Sequence, residues 1–247
     1  VKKKNIKLII QYDGARYRGW QRLGDSDNTI QGKIEAVLSR MTGEKIDLIG
    51  SGRTDAGAHA YNQVANFKTA SPMSLPEILD YCYRYLPEDI VVKTIELADD
   101  RFHARYNAKS KTYLYRILNA PRHDVFERKL CWHVPDPLDV NLMRKAADYF
   151  IGRHDFQSFT TLKSKKNSME REINSIEIIR DGIMLDLYFK ADGFLYNMIR
   201  IIAGTLVEVG SGKIEPGAIQ EILSTRVRSN AGITAPPQGL FLYEVDY

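Results

Sequence analysis

Apolar and polar residues alternate at Ile6, Leu8, Ile10 and Tyr12, the period of two expected of a half-buried strand. Beyond them the period lengthens. Ile30, Ile34, Val37, Leu38 and Met41 fall on one helical face, with Asn28 and Gln31 read as a capping-box variant before it and Gly43 placed to stop it. Residues 46–50 and 63–68 read as short strands on either side of a glycine-rich loop. Ser74 and Glu77 form a second capping box ahead of the stripe Ile78, Leu79, Cys82 and Leu86, and residues 90–97 are rich in β-branched side chains. The order is β-α-β-β-α-β.

The second half repeats it. Residues 113–118 read as a strand, and Asp139 caps a helical face of Leu142, Met143, Ala146, Ala147 and Phe150. Two alternating runs, Ile176 with Ile178 and then Ile183 to Phe189, flank Asp181-Gly182, a strong hairpin signal. The longest helical stripe runs from Leu195 to Val209 and closes at Gly210. A short helix near 216–223 and a strand over 239–247 come after it. The pattern predicts an α+β fold of two ferredoxin-like halves in series, with a boundary near residues 100–108 that separates 1–105 from 106–247. The sheet faces that the helices leave open would either abut or form the walls of a cleft between the halves. The loops at 163–168 and 225–238 read as mobile.

Composition narrows the class. Of 247 residues, 44% are apolar, enough for a real core. No apolar run approaches the ~18 residues of a membrane span. The basic N-terminal stretch has no apolar segment behind it, so no signal peptide is expected. Cys82 and Cys131 lie far apart without metal-ligand spacing and read as reduced thiols of a cytoplasmic protein. The net charge of +4 says little by itself. Its placement says more, because basic residues mix with aromatics over 16–22, 101–106 and 109–113. Such segments can meet phosphates and stack on bases, although a solvated surface over packed rings has the same composition.

The nucleotide motifs fail. Gly210-Ser211-Gly212-Lys213 has Val207 where a P-loop needs its first Gly and Ile214 where it needs Ser or Thr. Gly50-Ser51-Gly52 has Asp55 in place of the third Gly of a dinucleotide fingerprint. None of the five histidines is paired with His or Cys at local ligand spacing, so neither metal nor cofactor is expected. The densest polar segment is Gly50 to Ala60, where three glycines let the backbone approach a ligand around one carboxylate, Asp55, with Arg53, Thr54 and His59 in reach. Taken alone, it also fits an Asx-type turn beside a surface Arg.

That segment resembles the catalytic loop of the TruA family of tRNA pseudouridine synthases at Arg53-Thr54-Asp55-Ala56-Gly57-Ala58-His59-Ala60, with Ala58 where the family commonly has Val. The resemblance spans the chain. It continues through Tyr12-Asp13-Gly14, Gly19-Trp20-Gln21-Arg22, Phe102-His103-Ala104-Arg105, Lys111-Thr112-Tyr113, Gly152 to Phe159, Phe194 to Gly204 and Gly239 to Leu242.

The resemblance implies a fold of pseudouridine synthase type with a basic cleft between its halves. It implies an isomerase that converts uridine to pseudouridine at positions 38, 39 and 40 of the tRNA anticodon stem-loop, after flipping the base, with no cofactor and as a homodimer. Asp55 matches the catalytic aspartate; attack at C1′, addition at C6 and removal of the C2′ proton all remain open for it. Arg200 matches the arginine that supports that carboxylate, and a nearby guanidinium favours its ionised form. Tyr113 matches the tyrosine at the target base. Arg53, His103 and Arg105 are candidate RNA contacts, as are Arg16, Arg18 and Arg22; for Arg53, entry into the gap left by the base and a hold on the backbone both remain open. A noncatalytic RNA-binding module and a metal-dependent nuclease are the rival readings. The first fails to explain the Asp55 loop, and the second predicts sensitivity to chelators.

Overall fold

A computed structural model describes residues 2–162 and 168–247. It resolves into two compact units, Val1–Lys109 with Leu242–Tyr247, and Ser110–Phe241. Residues 163–167 of the loop read as mobile lie outside the described residues. The fold is α+β, as the hydrophobic pattern predicts.

The first unit runs β1 (Lys4–Tyr12), α1 (Ile30–Thr42), β2 (Ile49–Gly50), β3 (His59–Thr69), α2 (Leu75–Tyr85), β4 (Ile90–Ala98). Its strands are antiparallel in the order β4-β1-β3, with the two-residue β2 also on β3. Residues 242–246 of the C-terminal strand complete it beside β3. The alternation in β1 is explained by burial: Ile6, Leu8 and Ile10 are fully buried, as are Ile34, Leu38, Phe67 and Ile78 of the same unit. A bulge between Ile10 and Tyr12 shifts the register, so that Tyr12 stands opposite Ala60, beside the glycine-rich loop.

The start of α1 differs from expectation. Thr29, not Asn28, is its cap: the Thr29 hydroxyl accepts the Gly32 N–H at 3.2 Å, while the Asn28 amide donates to Arg16 O at 2.6 Å. Asn28 is thus occupied by a nonlocal bond and Gln31 turns inward. The other end agrees: Gly43 takes φ 70° and its N–H bonds Ser39 O. The Ser74–Glu77 capping box is formed reciprocally, as the spacing predicts.

The second unit runs β5 (Ser110–Asn119), β6 (Trp132–Val134), α3 (Val140–Asp148), β7 (Gly152–Asp155), β8 (Glu170–Asp181), β9 (Met184–Ala191), α4 (Met198–Gly210), α5 (Ala218–Thr225), before the chain enters β10 (Leu240–Asp246). Its sheet has the order β5-β9-β8-β7, with β6 parallel to β5. Asp181 pairs with Met184 across the predicted hairpin, whose Gly182 adopts φ 57°. Asp139 caps α3 by accepting from Asn141 and Leu142 N–H. β6 and β7 are three and four residues long, too short to carry a readable period. α4 begins at Met198 instead of Leu195, because Asn197 is left-handed (φ 61°).

The 225–238 segment is anchored, contrary to its reading as a mobile loop. Arg228 donates to the carbonyls of Ala231 and Gly232 and to the Thr234 hydroxyl, and Ala235 N–H bonds Arg200 O. Gly232 N–H donates to Thr205 Oγ1 in α4. No helix among the described residues is long and apolar enough to cross a membrane.

Replacing Thr29 with Ala is expected to cost about 1 kcal/mol, or roughly 2–4 °C in melting midpoint. Asn28→Ala should leave the helix cap intact. Far-ultraviolet thermal melts of both variants check the assignment, and equal losses would refute it.

Candidate active site

The Asp55 loop of the first unit is built from close backbone contacts. Asp55 to Ala58 close a turn in which Ala58 N–H donates to Asp55 O at 3.1 Å, with Gly57 at φ 80° in its third position. The stretch 14–20 lies against it. Trp20 N–H bonds Thr54 O at 3.1 Å and Gly57 N–H bonds Tyr17 O at 3.3 Å. A Cβ on Gly14 would stand 1.8 Å from Ala58 O, and one on Gly19, itself at φ +90°, would stand 2.7 Å from Thr54 O. Gly50 gives room to the Trp20 ring in the same way, at 2.6 Å. Glycine is required at these places because other atoms occupy the space of a side chain.

Side chains brace the frame. Tyr12 Oη and Thr54 Oγ1 share a buried hydrogen bond of 2.8 Å, and burial pushes the Tyr12 phenol well above its ordinary range. His59, 1% exposed, accepts the Gly14 N–H on Nδ1 at 3.0 Å. Asp13 Oδ1 lies 3.0 Å from the same nitrogen and accepts the Ala15 N–H. His59 therefore belongs to the frame of the loop. Asp55 itself is half-buried, so the loop presents its carboxylate without sealing it in the core.

The predicted basic contacts separate by partner. Arg16 is bound through two nitrogens to Asp89, which also accepts from Tyr17 Oη at 2.5 Å. Arg22 pairs with Glu35 at 2.8 Å, and Arg18 reaches Asp25 at 3.5 Å. Arg53 is exposed and donates from Nε to Gln21 Oε1 at 3.0 Å. Arg105 is also exposed. His103 closes a local turn: its Nδ1 accepts from the N–H groups of Arg105 and Tyr106, and its ring stacks on Tyr106 at 4.2 Å. Two buried amides hold this segment. Asn5 donates to Asp99 O and Phe102 O, and Asn66 accepts from Ala104 N–H.

Tyr113 and Arg200 belong to the second unit. Tyr113 is 6% exposed on β5, opposite Phe189, with its ring edge-on to Phe194 at 5.3 Å. Arg200 sits in the first turn of α4, half-buried. Its Nε donates to Ala235 O at 2.7 Å and another guanidinium nitrogen to Asn197 Oδ1 at 2.9 Å. Its charge opposes the upward shift that burial imposes on the Tyr115 phenol, which donates to Pro236 O. Tyr113 and Tyr115 share a face of β5 by their spacing of two. The left-handed Asn197, whose side chain also donates to Thr161 Oγ1, is a contributor that the apolar pattern does not reveal. So are Gln31 and Glu35, both buried; their signal is two polar residues beside the apolar stripe of α1.

Among the described residues no group of three or more His, Cys, Asp or Glu side chains could hold a metal ion. What the two units offer is a carboxylate on a braced loop, a half-buried guanidinium and a buried tyrosine on a strand, groups suited to acid–base or nucleophilic work on an organic substrate.

Comparison with known proteins defines the class. A family model described as tRNA pseudouridine synthase matches residues 8–107 and 146–247. The tRNA pseudouridine synthase A of Bacillus sp. (strain KSM-64) is 51% identical over 243 residues, which cover 98% of this chain and 99% of the relative. Those of Clostridium tetani (strain Massachusetts / E88), tRNA pseudouridine synthase A 1, and Thermoanaerobacter sp. (strain X514) are 48% and 43% identical over 244 residues, 99% of this chain and 100% of each relative. The chain belongs to the tRNA pseudouridine synthase family, a family of isomerases. The solved archaeal box H/ACA sRNP Nop10–Cbf5 complex overlaps 82% of this chain and 44% of its own at 12% identity and a TM-score of 0.37, a remote likeness that adds nothing to the site.

Tyr12→Phe is expected to cost about 1–3 kcal/mol, because it strips a buried partner from Thr54. Adding Thr54→Val should recover part of that loss, since a buried pair replaced on both sides leaves fewer unmet groups. Urea denaturation of the two single variants and the double variant gives the coupling, and strict additivity would refute it. In the second unit, Gly204→Ala places a Cβ 1.9 Å from Ile233 O. It should cost at least about 2 kcal/mol and loosen the 231–236 segment that holds Arg200, seen as faster amide exchange there.

Proposed function

We propose that this protein isomerises uridine to pseudouridine in tRNA, at positions 38, 39 and 40 of the anticodon stem-loop, with Asp55 as the catalytic carboxylate. The observation that carries the reading is Asp55 on a loop immobilised by its own main chain, in a family of tRNA pseudouridine synthases. The reaction breaks the N1–C1′ bond, rotates the base and joins C5 to C1′; the C5 proton leaves to water and N1 gains one. Nothing is oxidised, and no group donor is consumed. Asp55 acts ionised, and Arg200 supports that form of the carboxylate. Tyr113 stacks on the uracil, and its hydroxyl assists departure of the C5 proton.

The target base must leave its stack, at a cost of a few kcal/mol that protein contacts offset. Arg53, His103 and Arg105 take the RNA side of that exchange, the arginines on the backbone. His103 contributes chiefly by shaping the turn that carries Arg105. On this reading the enzyme works in the cytoplasm as a homodimer, without cofactor or metal.

The test is release of tritium from tRNA labelled at uridine C5, in EDTA, beside Asp55→Ala. Wild-type release, with the variant reduced to background while it still binds tRNA, is the expected result. Tight binding without release from tRNAs carrying uridine at all three positions would sink the catalytic reading in favour of a pure RNA-binding protein.

A further inference from the structure

Arg53 is exposed, yet a chain of amides that starts at a buried carboxylate aims its guanidinium. Glu35 is 5% exposed. Its Oε1 accepts from Leu48 N–H at 2.9 Å and from Gln31 Nε2 at 3.1 Å, and its Oε2 from Arg22 at 2.8 Å. An ionised carboxylate only accepts. Gln31 must therefore turn its nitrogen inward, where it also donates to Leu48 O at 2.9 Å. Its oxygen is left facing the other way and takes Arg22 N–H and Gln21 Nε2, both at 2.8 Å. That fixes Gln21 in turn, nitrogen toward Gln31 and oxygen toward Arg53 Nε. Each link tolerates one polarity. Flipping either amide would set acceptor against acceptor or donor against donor.

We infer that Gln21 is a positioning residue that presents the Arg53 guanidinium to an RNA backbone phosphate at the Asp55 loop, with its direction set by Glu35 through Gln31. The inference rests on the tRNA-acting role proposed above. An arginine held by Nε still offers its terminal nitrogens as a fork, and a fork needs a fixed plane to meet two phosphate oxygens. Arg53 stands two residues before Asp55, so its plane sets how the RNA strand meets the carboxylate. A flexible arginine would supply the same charge without the register.

The test is a double-mutant cycle read in affinity for unmodified tRNA over a salt series, with tritium release recorded in parallel. Gln21→Met keeps length and bulk but removes the acceptor. It should weaken binding about threefold to tenfold with its melting midpoint within about 2 °C of wild type. Arg53→Ala should weaken binding as much or more and lower the salt slope by about one. The double variant should be no worse than Arg53→Ala. In an Arg53→Lys background, which lacks the planar fork, Gln21→Met should change nothing. Additive losses, wild-type affinity for Gln21→Met beside a weakened Arg53→Ala, or wild-type affinity for Arg53→Ala would each overturn the inference. Failure of the synthase reading shows separately, as absence of tritium release from wild type, because the cycle is read in binding.

Discussion

Main chain packed directly on main chain, between residues 14–20 and 53–58, is the constraint on which the geometry of the Asp55 loop depends. The Gly14 and Gly19 positions leave no room for a methyl group, and bonds from Trp20 to Thr54 and from Gly57 to Tyr17 lock the approach. Fixing a loop by its backbone spends conformational entropy during folding, before any substrate arrives. The loop is therefore preorganised: a catalytic group held in place does not have to be ordered when it reacts. The packing also separates duties. Backbone, Trp20, Tyr12 and His59 hold the loop; on the proposed reading the chemistry falls to Asp55, with Arg53 on the RNA beside it.

The parts that were legible in the sequence are those whose cause is local. The alternation of β1, the Ser74–Glu77 box and the Asp139 cap arise from residues within a few positions of one another, and each forms as read; the predicted hairpin forms too, with its turn one residue later, at Gly182-Ile183, and Asp181 still paired in β8. The failures share a different cause. Asn28 is a good cap by type, but the Arg16 carbonyl, twelve residues away, takes its side chain, and the helix starts from Thr29. The 225–238 stretch has the composition of a loop, and its order comes from α4, through Thr205 and Arg200. β2 shrinks to Ile49–Gly50, and β3 starts at His59 instead of residue 63. The candidate site was legible through its motif. The buried Glu35 and Gln31 were not, since they flank a strong apolar stripe and polar groups inside a core are rare unless bonded.

In the second unit, hydrogen bonds to a carbonyl and an amide orient a half-buried arginine. α4 is apolar on nearly every face, and Arg200 is its one charged residue before Glu208. The Ala235 carbonyl and the Asn197 amide oxygen accept from its guanidinium. These two bonds orient the group where it leaves the helix. The left-handed backbone at Asn197 belongs to this arrangement. Strain at one residue places a side-chain acceptor at the first turn of the helix, where Arg200 emerges.

The kind of partner also sorts the basic residues of the first unit. Arg16 and Arg22 face carboxylates at 2.6 and 2.8 Å, so their fields are largely cancelled a few ångströms away. Arg53, in contrast, meets a neutral amide oxygen. A phosphate approaching Arg16 would have to compete with Asp89 for the same nitrogens, and part of any gain would go to breaking an existing pair. A phosphate approaching Arg53 gives up nothing comparable, because the Gln21 oxygen holds the guanidinium through Nε. Counting positive charges in the 16–22 segment therefore overstates its pull on RNA. The better guide is the chemistry of each partner: carboxylates tie arginines into the fold, and amides direct an arginine while leaving its charge available.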